Sequence, residues 1–172
     1  DERLESLNGI CVYQYVGDEA VLYWNLDDSV QGVNALALFH RFKSDLKAKE
    51  FYFLRQYDFV PTFKAAIHGG LVIGSSLGKR NPHRAFHGDT LNITSRMLGL
   101  CHQYETDLLI SEVFYRSVKS RFQTDRFEAI HEVDIKGRQQ LMKLYKQRKY
   151  GGIRLMQNTL KPSFEYKMTI SH

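Results

Sequence analysis

The stretch "FHGDTLNITSRM", from Phe86 to Met97, combines the signals of a helix start with an unusual polar pair. Asn92 and Arg96 are four residues apart, so an α-helix places the amide and the guanidinium side by side on one face. A solvated polar stripe would explain an isolated pair of this kind. The role of the pair therefore depends on the rest of the sequence.

The same stretch predicts where its helix begins and which side of it is buried. Asp89 follows a glycine and is predicted to be the N-cap, and the helix is expected to run to about Cys101. Leu91, Met97 and Leu98 are expected to face the core.

Composition limits the class of protein. The chain has 172 residues, of which 43% are apolar and 13% aromatic, so it can bury one sizeable core and form a single domain. Lys and Arg outnumber Asp and Glu by 24 to 19. The resulting net charge of +5 suits an anionic partner such as a phosphate compound, but the dense basic runs of a dedicated nucleic-acid binder are missing.

Cysteine usage and hydropathy bear on the compartment. Cys11 and Cys101 fit neither a disulfide framework nor a zinc site, which favours a reducing, cytosolic setting. No apolar run approaches the roughly 20 residues that span a bilayer, and no signal-peptide pattern is present. Because the sequence begins at Asp1 and not at Met, we expect it to be part of a longer protein, in which a membrane or sensor domain can precede it.

Apolar runs and turn residues predict alternating hairpins and helices in the first half. Residues 10–24 form two aromatic-rich strands around a turn at Gly17 and Asp18. A helix capped within residues 27–29 is predicted to run to about Lys49. A second hairpin is predicted around residues 68–70.

The second half continues the pattern with a buried strand at residues 106–111 and a helix capped by Ser111. Two β-rich runs, 126–137 and 139–147, are joined at Gly137. The fold class predicted from this order is α+β, with helices packed on a mainly antiparallel sheet.

Several polar groups have both a structural and a functional interpretation. Asp18 is a common turn residue, yet an exposed carboxylate at a turn can also hold Mg²⁺ together with substrate phosphates. Lys136 and Arg138 flank Gly137 as a charged turn or as phosphate ligands.

Glycines and histidines are better explained by structure. Neither Walker-type nor dinucleotide-type spacing occurs, so hairpin geometry accounts for the glycines at 69, 70, 74 and 78. His68, His83 and His87 lack metal-ligand spacing and are interpreted as hairpin or core residues.

Taken in order, five segments resemble the catalytic domain of class III adenylate and guanylate cyclases. They are "YQYVGDEAV", "KAAIHGGLVIG", "HGDTLNITSRM", "LLISEVFY" and "VDIKGRQQLMKLYK". The resemblance covers about residues 9–147, and its most specific element is the run Gly-Asp-Thr-x-Asn-x-x-x-Arg. It implies a ferredoxin-like nucleotide cyclase fold in a partial domain over residues 1–147, followed by a tail, 148–172, of unassigned structure.

The resemblance also implies roles for the site residues. Asn92 and Arg96 match the Asn and Arg that orient the ribose and stabilise the α-phosphate when the 3′-hydroxyl attacks it. Asp18 matches one of two aspartates that hold two Mg²⁺ or Mn²⁺ ions per site. Lys136 or Arg138 occupies the place of a basic residue that meets the terminal phosphates.

Two departures from the family pattern affect activity and specificity. The second metal aspartate belongs to a first strand, followed by a helix, and neither is found before Gly9, so the chain alone is expected to be inactive or nearly so. Gln14 stands where adenylate cyclases have Lys, and Ala85 where they have Asp or a hydroxyl residue. ATP is the leading expectation because adenylate cyclases are common in the family, with GTP or a pyrimidine nucleotide open.

Three functions follow as hypotheses. The first is a cytoplasmic cyclase domain whose missing strand and metal ligand come from the longer parent protein, acting as a homodimer with its sites at the interface. The second is a catalytically inactive regulatory or dimerisation module. The third is a diguanylate cyclase type of transferase, because "YVGDEAV" also resembles the Gly-Gly-Asp-Glu-Phe turn, although Asn92 and Arg96 argue against it.

Overall fold

A computed structural model describes residues 10–25, 29–77, 83–121, 126–135 and 141–148. In these ranges the elements, in chain order, are β1 (Cys11–Val16), β2 (Glu19–Tyr23), α1 (Ser29–Ala48), α2 (Glu50–Tyr57), β3 (Ala65–Ile67), β4 (Ile73–Leu77), β5 (His83–His87), α3 (Asp89–Gln103), β6 (Leu108–Ser111), α4 (Glu112–Val118), β7 (Phe127–Val133) and β8 (Met142–Gln147).

The described strands form one main sheet and two separate hairpins. The main sheet has the order β3-β6-β8-β7, in which β3 is parallel to β6 and the other pairs are antiparallel. β1 pairs with β2, and β4 pairs with β5, in two-stranded antiparallel sheets. The predicted α+β class with a mainly antiparallel sheet is confirmed.

The central strand β6 is buried on both faces. Its four side chains are fully buried, and alternate residues point to opposite sides of the sheet. Leu108 and Ile110 belong to a core cluster with residues of α1 and α4. Leu109 belongs to a second cluster with residues of α3, β7 and β8. The sheet is therefore a layer between helices on its two faces.

Most of the predicted elements are confirmed, but one pairing is wrong. Strands occur on both sides of residues 68–70, yet they do not form the expected hairpin, because β3 pairs with β6 and β4 pairs with β5. β3 is a short apolar strand, and pairing with β6 lets it bury Ile67 in the core. Helix α2, which buries none of its side chains, was not expected.

The C-terminal part agrees with the prediction. The hydroxyl of Ser111 accepts a hydrogen bond from the backbone N–H of Phe114 at 3.4 Å and caps α4 as expected. β7 and β8 pair in antiparallel fashion. Their predicted joint at Gly137 and residues 149–172 of the predicted tail lie outside the described residues.

His40 is a titratable group within the core on α1. Its side chain is 4% exposed, and its Nε2 atom has no hydrogen-bond partner among the described residues. Burial lowers the pKa of His40 to about 4, and the positive charges of Arg126 and Lys43 act in the same direction. The neutral imidazole is therefore the form that the fold accommodates.

This pKa predicts acid sensitivity. An unfolded histidine has a pKa near 6.5, so the unfolded chain binds a proton that the folded chain excludes as the pH falls from there towards 4. The free energy of unfolding has its full value above this window and falls within it by roughly 1–3 kcal/mol. In thermal melts between pH 7.5 and pH 4, the melting temperature of His40→Phe should fall less with decreasing pH than that of the wild type.

His131→Phe, at an exposed histidine of β7, is the control, and its melting temperature should keep the wild-type slope against pH. Equal slopes for all three proteins would contradict the assignment.

Candidate functional site

The orientation of Asn92 and Arg96 is set by the buried side of α3. Ile93, Met97 and Cys101 follow one another at intervals of four and are 2%, 0% and 0% exposed. Asn92 and Arg96 each precede a member of this stripe by one residue and are exposed. Because one residue is a rotation of about 100° on a helix, burying the stripe holds the amide and the guanidinium together at the surface.

The expected buried face of this helix was only partly right. Met97 is buried as predicted, but Leu91 and Leu98 are half-buried, and the deepest positions include Ile93 and Cys101. Burial raises the pKa of the Cys101 thiol to about 11, so it remains neutral in the core. The spacing of four between Ile93, Met97 and Cys101 was the available signal.

The start of α3 is held against the segment that precedes β4. The hydroxyl of Thr90 donates a hydrogen bond to the carbonyl oxygen of Leu71 at 2.8 Å. Gly88 has a φ of +139°, and a Cβ atom there would lie 3.0 Å from the same oxygen. A Cβ atom on Gly70 would lie 2.5 Å from the Thr90 hydroxyl oxygen. Both glycines thus permit a close approach of the two segments.

The predicted cap of this helix is wrong by one position. Gly88 is the N-cap residue and no side chain caps the helix, while Asp89 is already helical. The non-helical backbone at Gly88 lets the helix begin one residue earlier than expected from an N-cap at Asp89. The carboxylate of Asp89 lies in the first turn, where it interacts favourably with the helix dipole.

Asp18 lies at the tip of the β1–β2 hairpin. It is exposed and follows Gly17, whose φ of +61° explains the glycine at this turn. An exposed carboxylate suits Mg²⁺ or Mn²⁺, which take one or two carboxylates together with substrate phosphates. Among the described residues there is no group of three or more His, Cys, Asp or Glu side chains that could hold a metal ion. Asp18 thus fits as one ligand, and the described residues do not complete the set.

The strands that carry Gln14 and Ala85 are in contact through the residues next to them, Tyr13 and Phe86. The hydroxyl of Tyr13 accepts a hydrogen bond from the backbone N–H of Phe86 at 3.2 Å, and the two rings are 4.9 Å apart. Tyr23 adds an edge-to-face contact with Phe86 at 4.7 Å. The β1–β2 and β4–β5 hairpins therefore meet at this aromatic contact, within one residue of both predicted base-binding positions.

Of the other residues considered in the sequence, some lie within the part of the chain that the structure describes and some do not. Lys136 and Arg138 lie outside the described residues. His87 is exposed on β5, as the hairpin interpretation expected, and His83 lies on the same strand. Tyr13 and Thr90 had no predicted role, although the aromatic residues of the first hairpin were a signal for packing.

Comparisons with known proteins bear on the class. A scan against models of known protein families finds no match. The chain is 30% identical over 132 residues to Adenylate cyclase 2 of Rhizobium meliloti (strain 1021), which is 77% of this chain and 36% of that protein. It therefore spans little more than a third of the length of this relative.

Solved structures show the same fold. A bacterial light-regulated adenylyl cyclase superposes with a TM-score of 0.62 at 18% identity, covering 87% of this chain and 43% of the other. The adenylyl cyclase CyaB from P. aeruginosa superposes with a TM-score of 0.61 at 15% identity, covering 87% and 76%. The chain has the fold of a class III nucleotidyl cyclase catalytic domain, which confirms the resemblance found in the sequence.

Within the described ranges, no helix has both the length and the hydrophobicity needed to cross a bilayer.

The geometry at the start of α3 predicts how three substitutions affect folding. Gly88→Ala forces a side chain into a positive φ beside the Leu71 carbonyl and should cost about 1–3 kcal/mol of unfolding free energy. Asp89→Ala removes only a charge near the helix dipole and should cost less than about 1 kcal/mol.

Gly99→Ala is the matched control on the same helix, because nothing lies within 4 Å of the added methyl group. It should stabilise the helix by up to about 1 kcal/mol. Urea unfolding of the three variants measures the order of their unfolding free energies. A Gly88→Ala protein as stable as Gly99→Ala would show that the junction is not constrained in this way.

Proposed function

We propose that the full-length protein is a nucleotidyl cyclase that converts a nucleoside triphosphate, with ATP as the preferred substrate, to the 3′,5′-cyclic monophosphate and pyrophosphate. The observation that carries the proposal is the exposed Asn92 and Arg96 pair on α3, within a fold shared with adenylyl cyclases. The name of the curated relative, an adenylate cyclase, supports ATP.

The reaction needs the kind of groups that α3 presents. The 3′-oxygen of the ribose forms a bond to the α-phosphorus, the bond from that phosphorus to the pyrophosphate oxygen breaks, and the hydroxyl proton is released. Negative charge accumulates on the non-bridging oxygens, where the planar donors of Arg96 stabilise it. Asn92 hydrogen-bonds the ribose and keeps the attacking oxygen in line.

The other predicted residues complete the proposed site. Asp18 would provide one carboxylate to a Mg²⁺ or Mn²⁺ ion, of which the family domain holds two per site. The metal, when bound, neutralises phosphate charge and favours ionisation of the attacking hydroxyl. Lys136 or Arg138 meets the terminal phosphates, and Gln14 and Ala85 lie beside the base.

The active form proposed is a homodimer with its sites at the interface. Asp18 comes from one protomer, and Asn92 and Arg96 come from the second copy, so that each site needs both. We place the domain in the cytoplasm, where nucleoside triphosphates are available. A sensor or membrane domain N-terminal to it in the full-length protein would provide regulation. Nucleic acid is not a proposed partner.

A catalytically inactive regulatory or dimerisation module is the second candidate. It is favoured by two observations on the described residues: Asp18 does not belong to a complete set of metal ligands, and Ala85 cannot hydrogen-bond a base through its side chain. The diguanylate cyclase type of transferase is not favoured, since it leaves the Asn92 and Arg96 pair without a use.

The direct test is an activity assay on the full-length protein. ATP, GTP, CTP and UTP are each incubated with Mg²⁺ or Mn²⁺, and cyclic nucleotide and pyrophosphate are quantified. We expect cyclic AMP as the main product. No cyclic product from any of these substrates would reject the enzyme and leave the inactive module.

Arg96 separates chemistry from folding in the same assay. Arg96→Ala should lower kcat by a factor of roughly 10² or more, the scale seen when one donor to an oxyanion is lost, with little change in Tm because the side chain is exposed. Arg96→Lys should restore part of the rate, since it keeps the charge but not the planar fork. Arg55→Ala, at an exposed arginine of α2, is the matched control and should remain active. An early-melting Arg96→Ala protein whose folded fraction turns over normally would make Arg96 structural.

The shared site predicts complementation between two inactive variants. Asp18→Ala and Arg96→Ala should each be inactive alone, but a mixed dimer contains one site with both native residues. Mixing the two proteins should therefore restore up to about a quarter of wild-type activity, if protomers exchange freely and statistically. Native mass spectrometry confirms that mixed dimers form. Mixed dimers without activity would argue against sites built from two protomers.

A further inference from the structure

One face of the β4–β5 hairpin carries a polar cluster to which the proposed mechanism gives no role. Ser75 lies directly opposite Ala85 in the antiparallel register, and His87 follows two residues later on the same strand. Directly opposite residues share a face of the sheet, as do residues two apart. Phe86 points to the other face, where it packs on Tyr13 and Tyr23. The side chains of Ser75, Ala85 and His87 therefore lie on the face of the β4–β5 hairpin opposite to that of Phe86.

The hydroxyl of Ser75 has two partners in this cluster. Its oxygen lies 3.4 Å from the carbonyl oxygen of Ala85 and 3.3 Å from Nε2 of His87. A hydroxyl group has one hydrogen to donate and two lone pairs to accept with. Both contacts are long but within hydrogen-bond range, and Ser75 is half-buried beside an exposed histidine.

Two arrangements use the single hydrogen of Ser75 within the protein, and which one forms depends on the tautomer of His87. If the hydroxyl donates to the Ala85 carbonyl, His87 can donate to the Ser75 oxygen, and the second lone pair remains. If the hydroxyl donates to an unprotonated Nε2 atom, both lone pairs remain. Both partners lie within hydrogen-bond range of the hydroxyl, and in both arrangements a ligand meets an oxygen that accepts.

This polarity matters at the position of Ala85. The methyl group of Ala85 makes no hydrogen bond, whereas the hydroxyl of Ser75 lies on the facing strand at the same level. Gln14 can present either its amide N–H or its carbonyl, so it does not by itself choose between bases. An acceptor oxygen favours a base with an amino group at its edge and disfavours one with a keto oxygen, which would leave two acceptors facing each other.

We infer that Ser75 is a specificity-determining residue, which accepts a hydrogen bond from the exocyclic amino group of the base and selects adenine over a 6-keto purine. This inference rests on the proposed function and deepens it, since it assigns the base recognition that Ala85 lacks to its cross-strand neighbour.

The test compares two substrates that differ at the 6-substituent. ATP carries a 6-amino group and an N1 acceptor, and inosine triphosphate carries a 6-keto oxygen and an N1–H donor, so the change of preference on replacing Ser75 is the quantity that assigns its role. We measure kcat/KM for both with the full-length wild type, Ser75→Ala, Ser75→Thr and Ser44→Ala. Ser44 is an exposed serine of α1 and serves as the matched control.

The wild type should prefer ATP by about tenfold or more, the scale of one mismatched hydrogen bond. Ser75→Ala should lose most of this preference, mainly through a higher KM for ATP. Ser75→Thr, which keeps a hydroxyl group, should retain much of the preference, and Ser44→Ala should match the wild type. Melting temperatures near that of the wild type show that the variants are folded.

The outcomes separate this inference from the proposed function. An active wild type whose ATP preference is absent, or is unchanged in Ser75→Ala, overturns the role of Ser75 but leaves the cyclase. If no cyclic product forms, the same comparison is made with dissociation constants from calorimetry. An ATP preference that is lost in Ser75→Ala then supports the role of Ser75 in an inactive module. No binding of ATP to the wild type overturns both.

Discussion

The burial of β6 on both faces is the constraint on which the rest of the structure depends. A strand that presents Leu108 and Ile110 to one side and Leu109 to the other must be covered by helices on both. α1 and α4 cover the first side, and α3 covers the second. Because α3 is held there by a stripe at intervals of four residues, its rotation is fixed, and Asn92 and Arg96 have only one direction in which to point. The direction of the two polar side chains is thus a consequence of how the buried side of α3 packs on the sheet.

The run from Gly88 to Arg96 divides its residues between folding and chemistry. Gly88 and Thr90 connect the start of the helix to the Leu71 carbonyl, one by the absence of a side chain and the other by a hydrogen bond. Ile93 holds the helix in the core. Asn92 and Arg96 are exposed and contribute little to burial. The motif is specific because successive turns of the same helix must provide both the residues that fold it and the polar residues that remain exposed.

The sequence predicts local features of this fold well and distant pairings poorly. The first hairpin, α1, α3, α4 and the last two strands follow from turn residues, caps and periodicity, which act within a few residues. The parallel pairing of β3 with β6 joins segments that are distant in the chain, and nothing in "KAAIHGG" identifies its partner. The cap at Gly88 and not at Asp89 depends on a backbone conformation that composition alone does not reveal.

The candidate site shows the same division. Asp18, Asn92 and Arg96 were placed by motif on a turn and a helix, and the structure has them on those elements. The meeting of the strands that carry Gln14 and Ala85 depends on the contact between Tyr13 and Phe86, which a linear pattern does not contain. The polar group opposite Ala85 could be found only from the register of β4 and β5.

The hairpin that carries Asp18 is positioned by side chains more than by a backbone ladder. Among the described strands, β1 and β2 form a sheet of their own, so their orientation relative to the main sheet comes from packing. Leu22 and Trp24 pack against the core cluster of α1 and α4, where Trp24 meets Phe114 edge to face at 6.1 Å. On the other side, Phe86 meets Tyr13 and Tyr23. Aromatic contacts of this kind contribute about 0.5–1.5 kcal/mol each beyond the area they bury. These contacts position the hairpin whose tip carries Asp18, and in the proposed site they would therefore set where its carboxylate meets a metal ion.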